Sequence, residues 1–365
     1  MAPSKDADGL ATLQATIASI TALIQSFQNA LQSPASPHAD IQDPPNPLAL
    51  LSDASKILKA QTTKLSLLIL NKPFTPSAIT FILNSLSNGC LPGLVSALEL
   101  CPAAQYSRLL HQHIRSSLLR IMMELLNLIE SIPQDGHGIE EMGRGILAST
   151  GVLWQECDKM VDLASTGLVK MANQKVEESH GLLKDAVEEL EAWDPDEEDM
   201  DSDTDSVSSS KQNLTPVPAH DDSTLASTFE HLSLSPAAAL RKRTLVTLRT
   251  VRVLYPALKK RRISTFPNIS SSSTLDALPT PSQIRALDSL ADHTQSFTES
   301  ADEVAGALYE GDEEKVKRRL ETLRGAAEGC AMAVKRGWKD EEDDFTGWAE
   351  KWVARLKEVG GELQS

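Results

Sequence analysis

At 365 residues with 41 % hydrophobic side chains, the chain is long enough for two domains with real cores and too apolar to be unfolded throughout. Aromatics at only 4 % favour aliphatic helix packing over β-sandwich cores. A net charge of −16 argues against general nucleic-acid binding.

The first residues, Met-Ala-Pro-Ser-Lys-Asp-Ala-Asp, lack the charged-then-apolar layout of a signal peptide. The longest apolar patch, Leu65 to Leu70, contains Ser66 and stops at Asn71, well short of the roughly 20 residues that span a bilayer. The sequence therefore reads as a soluble intracellular protein with no membrane partner. Cys90, Cys101, Cys157 and Cys330 form no CxxC pair and have no histidine at ligand spacing, so they read as small buried thiols in a reducing compartment.

Leu10, Leu13, Ile17, Ile20, Ile24, Phe27 and Leu31 alternate spacings of three and four, which predicts a first helix with a heptad seam. Five prolines between Ser33 and Pro47 make a loop. Leu48, Leu51, Ser55, Leu58, Thr62, Leu65 and Ile69 then repeat the heptad spacing. Thr75-Pro76, an N-cap followed by an N1 proline, opens a third helix interrupted near Gly89 to Gly93. A fourth is expected from about Pro102 to Ile132.

From Gly138 to Trp193 the apolar spacing is helical without pause. One helix over 139–193 would extend about 80 Å at 1.5 Å per residue, roughly twice its neighbours. A break at Ser165-Thr166-Gly167 divides it into two pieces of matching length, and matched helices with short connections form an up-and-down bundle. Trp154 and Cys157 read as core side chains of this run.

The run ends abruptly in Asp194-Pro-Asp-Glu-Glu-Asp-Met-Asp-Ser-Asp-Thr-Asp205, where eight carboxylates crowd twelve residues. Such a tract repels itself and buries too little surface to offset the entropy of ordering. Residues 194–235 carry net −10, and residues 236–265, directly after, carry net +9. Ser235-Pro236 opens this basic helix to about Ile263, followed by a serine-rich loop over 264–278. Thr280-Pro281 opens a helix to Tyr309, Asp312 another to Arg336, and Asp340 the last, to about Val359. The expected fold is all-α. A five- or six-helix bundle over 8–193 and a smaller helical domain over 236–365 are joined by an acidic, disordered linker over 194–235.

The basic helix holds two clusters, Arg241-Lys242-Arg243 and Lys259-Lys260-Arg261-Arg262. They read first as the solvated face of a core helix, then as a nuclear import signal, and then as a docking surface for an acidic partner. DNA reading is disfavoured because Leu245, Leu248, Val251 and Tyr255 interleave and Pro256 would kink the helix. Ser202 and Ser206, set among acidic residues, and Thr215, followed by proline, are candidate phosphorylation sites, where each phosphate would add nearly two negative charges. Arg-x-Leu triplets that could dock on cyclins occur at 243–245, 285–287 and 318–320, but each leucine lies on a core face. No Gly-rich phosphate loop, GxSxG or HExxH is present, and His111 and His113 point apart on a helix. No catalytic residue, cofactor or metal ligand is assigned.

The stretch Gly145-Ile-Leu-Ala-Ser-Thr-Gly-Val-Leu-Trp-Gln-Glu-Cys-Asp158, with Leu182-Leu-Lys-Asp-Ala-Val-Glu-Glu-Leu-Glu-Ala-Trp193 and the acidic tract, resembles the cyclin-D-binding protein family, also called GCIP-like. A weaker likeness surrounds Leu254-Tyr-Pro-Ala-Leu-Lys-Lys-Arg-Arg-Ile263. The resemblance implies an all-helical, non-enzymatic interaction protein. Its partner would be a cyclin-like protein or a transcription regulator, met in both nucleus and cytoplasm, in control of cell-cycle progression or transcription. The alternative is a vinculin- or talin-like cytoskeletal adaptor that binds filaments or amphipathic helices. Neither reading fixes the oligomeric state.

Overall fold

The computed structural model describes residues 5–33, 44–133, 143–194, 235–274 and 278–361, and no strand occurs among them. Contacts divide the chain into two units, residues 1–174 with 263–288, and residues 175–262 with 289–365. The division falls inside a helix after Gln174 and does not follow the acidic stretch, which from residue 195 to 234 lies outside the described residues.

In the first unit, α1 (Lys5–Gln32) buries Leu13, Ile17, Ile20, Ile24 and Leu31 of the expected seam. Asn46 caps α2 (Pro47–Leu70), its Oδ1 accepting from the N–H of Leu48 at 2.9 Å and of Ala49 at 3.1 Å. Every expected seam residue of α2 is buried, the polar Ser55 and Thr62 included. Helix α3 (Pro76–Ser85) passes through one π turn, Leu86–Cys90, into α4 (Leu91–Glu99). The interruption expected near Gly89 is this turn: Pro92 has no N–H to give, and the Leu91 N–H reaches five residues back to the Leu86 carbonyl. Windows at 8–32 and 76–99 are apolar enough by length and composition to cross a membrane. In this fold both lie in helices that contribute core side chains to the bundle.

The expected helix from Pro102 to Ile132 is broken at Ser107, whose φ of 90° separates α5 (Ala103–Tyr106) from α6 (Arg108–Glu130). The cause lies far away in sequence. The Asp288 carboxylate accepts from Ser107 Oγ at 2.6 Å and from the N–H groups of Arg108 at 2.8 Å and Leu109 at 3.3 Å. A carboxylate on a helix N-terminus satisfies donors that have no partner within the helix.

Helix α7 (Gly143–Ala192) breaks at Gly167 (φ 78°, ψ −168°), within the expected Ser165–Gly167 window. The backbone groups released there are taken up by the loop after Phe266. Leu168 N–H donates to Ile269 O at 3.0 Å, Ser271 N–H to Ala164 O at 2.7 Å, and Asn268 bridges Thr166 O and Val169 N. Asn46 Nδ2 holds the same loop through Ser270 O and Ser273 O. These bonds are why 263–288 pack with the N-terminal helices.

The second unit contains the last part of α7, α8 (Pro236–Arg252), α9 (Leu254–Arg261), most of α10 (Pro281–Tyr309), α11 (Glu313–Ala333) and α12 (Asp344–Gly361). The basic helix is thus interrupted at Val253, three residues before Pro256. Helix α12 begins three residues later than expected because Asp343, not Asp340, caps it. Its Oδ1 accepts from Phe345 and Thr346 N–H, and Thr346 Oγ1 accepts from Asp343 N–H. Tyr255 OH donates to Thr294 O at 2.8 Å and Trp352 Nε1 to Thr250 O at 3.0 Å, tying α9 to α10 and α8 to α12.

Candidate docking surfaces

The basic clusters are largely committed to structure. Arg241 donates to the carbonyls of Leu190 at 2.8 Å and Glu191 at 2.5 Å, a guanidinium placed on the negative end of α7. Lys242 and Arg243 are exposed. Lys259 pairs with Glu177 and holds that carboxyl below the usual glutamate range. Lys260 is exposed, and Arg261 pairs with Asp344 at 3.4 Å.

Arg262 is 1 % exposed and cannot serve an import or docking surface in the folded chain. Its guanidinium donates to Val334 O, Lys335 O and Arg261 O and pairs with Asp343 at 2.7 Å. It also lies over the Phe345 ring, 4.3 Å from the centroid. Bonding to Arg262 holds the Asp343 carboxyl down at about 2. Of the seven candidate residues, Lys242, Arg243 and Lys260 keep outward charge without an ion pair among the described residues. Ser202, Ser206 and Thr215 lie outside the described residues.

All four cysteines are buried and free. Burial pushes the Cys101, Cys157 and Cys330 thiols up to about 12, which leaves them protonated and unreactive. The leucines of the Arg-x-Leu triplets, Leu245, Leu287 and Leu320, are buried, so none is presented for docking. A 370 Å³ cavity between α11 and α12 is lined by Glu321, Arg324, Glu328 and Lys357, with Glu328 and Lys357 paired at 2.6 Å.

The first unit carries a surface that sequence reasoning missed. Helix α7 runs antiparallel to α2, as Lys59 pairs with Asp158 at 2.7 Å and Ser66 Oγ meets Thr150 Oγ1 at 2.5 Å. On its other side the buried Glu156 meets Arg120 of α6 at 3.5 Å. Leu153, Cys157 and Met160 face the core, but Trp154 does not. It was expected inside and is 39 % exposed, one position off the buried stripe. Leu147, at 60 %, and Leu67 of α2, at 52 %, are exposed with it. The available sequence signal is charge. Residues 145–155 hold no ionisable side chain in a protein that is 24 % charged.

Comparison with known proteins bears on this same region. The family model described as Grap2 and cyclin-D-interacting, N-terminal, matches residues 50–196, from α2 to the end of α7. An uncharacterized protein of Schizosaccharomyces pombe is 26 % identical over 313 residues, covering 84 % of this chain and 83 % of its own length. No solved structure matches.

Proposed function

We propose that this chain, which matches the Grap2 and cyclin-D-interacting family model over 50–196, is a non-enzymatic helical protein that regulates cell-cycle progression or transcription by binding a cyclin-like or transcription-factor partner. The observation that carries the reading is the family match over 50–196, which contains the uncharged, outward strip of α7. An apolar patch on a helical bundle is a means of recognising another protein, and it does no chemistry. The four thiols are buried and held protonated, which adds no nucleophile.

The partner is met in both the nucleus and the cytoplasm in this reading. The purified full chain, titrated with recombinant D-type cyclin in a calorimeter, should give saturable binding in the micromolar range or tighter, about −8 kcal/mol or more favourable. Absence of saturable binding to any D-type cyclin, with the chain folded by circular dichroism, would remove the cyclin part of the proposal.

A further inference from the structure

The register of α2 against α7 is fixed by Lys59–Asp158 and Ser66–Thr150, and it sets which side chains border the seam between them. Leu147, Gly151 and Trp154 stand at i, i+4 and i+7 and so share one stripe of α7. Leu67 of α2 follows directly on the Ser66 contact and lies across from them. A Cβ added at Gly151 would meet nothing within 4 Å, so the space above this position is open. Over 53–67 of α2 and 144–158 of α7, the charged side chains that are not buried are Lys56, Lys59, Lys64 and Arg144 against Asp53 and Asp158, an excess of positive charge in a protein of net −16. Lys64 and Arg144 make no ion pair among the described residues.

We propose that this seam is a docking groove for an amphipathic helix whose apolar face is bordered by carboxylates. The proposal rests on reading the chain as a binding protein and assigns that role a place. From Leu147 to Asp158 the stripe runs about 17 Å at 1.5 Å per residue, the length of three helical turns. Helices pack 8–10 Å apart when small residues let ridges enter grooves, and Ala148 and Gly151 are the small residues of this face. The apolar side chains supply the contact area, and the basic excess selects the acidic-bordered helix over a basic or neutral one.

The full chain labelled with 5-fluorotryptophan should give five fluorine resonances, of which Trp154 is identified by its loss in Trp154→Phe. The probe is a designed helical peptide of about 18 residues with leucines at i, i+3, i+4 and i+7 and glutamates on both borders. It should move the Trp154 resonance and leave the tryptophans of the second unit in place. Leu147→Glu should weaken the peptide about tenfold or more at unchanged melting temperature, because the position is exposed. A peptide with glutamines for the glutamates should bind several-fold more weakly at low salt.

A still Trp154 resonance at saturating peptide, or equal affinity in Leu147→Glu, overturns the groove. Equal affinity of the two peptides overturns its preference for acidic helices. Self-association by sedimentation that disappears in Trp154→Glu would make the face a dimer contact and likewise overturn the proposal. Failure of D-type cyclin to bind while the peptide still binds counts against the functional reading alone. Cyclin binding that survives Leu147→Glu, while the peptide also binds that variant undiminished, counts against the groove alone.

Discussion

Replacing Arg262 by alanine should destabilise the second unit more than any other change in the basic helices. The side chain is 1 % exposed and donates to three carbonyls, Val334, Lys335 and Arg261, besides pairing with Asp343. Truncation takes the guanidinium donors from those carbonyls, of which Lys335 O keeps Thr346 Oγ1, and removes the cation from Phe345. Breaking a buried, hydrogen-bonded ion pair costs about 3–5 kcal/mol, and Asp343 can regain water because it is partly open, so about 3 kcal/mol is expected. Trp193, Trp338, Trp348 and Trp352 belong to the second unit, so tryptophan emission during urea unfolding reports mainly on it. With a slope of about 2–3 kcal/mol per molar, the midpoint should fall by about 1 M or more. Lysine should not rescue it, since one ammonium cannot reproduce the planar fork. Lys260→Ala, at an exposed neighbour, should leave the midpoint in place. A midpoint for Arg262→Ala equal to that of Lys260→Ala would refute the reasoning. The same pair predicts acid sensitivity. The Asp343 carboxyl, ordinarily near 3.8, is held at about 2 in the fold, so its stabilisation is present above 3.8 and is lost as pH falls from there toward 2. In Asp343→Asn that part of the acid transition should be missing.

Gly167→Ala should lower the melting temperature of the first unit, since its Cβ would sit 2.2 Å from Ile269 O at a φ of 78°; about 2 kcal/mol or more is expected, and an unchanged melt refutes the bond between kink and loop. Limited proteolysis should cut first between Asp194 and Ser235, yet the two fragments should co-elute in gel filtration, because Arg241 and Arg249 bond across the cut to Leu190 and Glu191 within one unit. Separation of native fragments would contradict this. Neutralising Lys242, Arg243 and Lys260 together should reduce the nuclear share of a fluorescent fusion without lowering its abundance, and an unchanged distribution removes their import role.

Legibility in the sequence follows the range of each interaction. Seams of α1 and α2, the N-caps at Ser235 and Asp312, and the break at Gly167 are local patterns, and they stand where spacing and residue type put them. The break at Ser107 is written by Asp288, whose contribution no window around Ser107 contains. Helix α12 was placed early because four acids, Asp340 to Asp343, offer equal caps in sequence. Only Asp343 has Arg262 to hold it and Thr346 to close the reciprocal cap. Trp154 was misplaced for another reason. Periodicity locates the buried stripe to within one position, and the tryptophan falls on the wrong side of that margin.

The charge pattern of residues 194–265 takes a different meaning once partners are named. In sequence, a −10 segment and a +9 segment stand side by side and suggest that they neutralise each other. In the fold, Glu177 and Glu191 of α7 already pair with Lys259 and Arg249, the carbonyls at 190 and 191 occupy Arg241, and Asp343 and Asp344 occupy Arg262 and Arg261. Lys242, Arg243 and Lys260 are what the candidate clusters have left to offer an acidic segment or partner. Exposed pairs contribute only about 0–1 kcal/mol each and are screened beyond about 10 Å at 0.1 M salt. Three of them limit any masking of the candidate clusters to a modest, salt-sensitive effect. The uncharged strip of α7 carries no such discount, since apolar burial is indifferent to ionic screening and grows with area. The first unit therefore offers the stronger recognition surface, although the basic helix is the louder signal in the sequence.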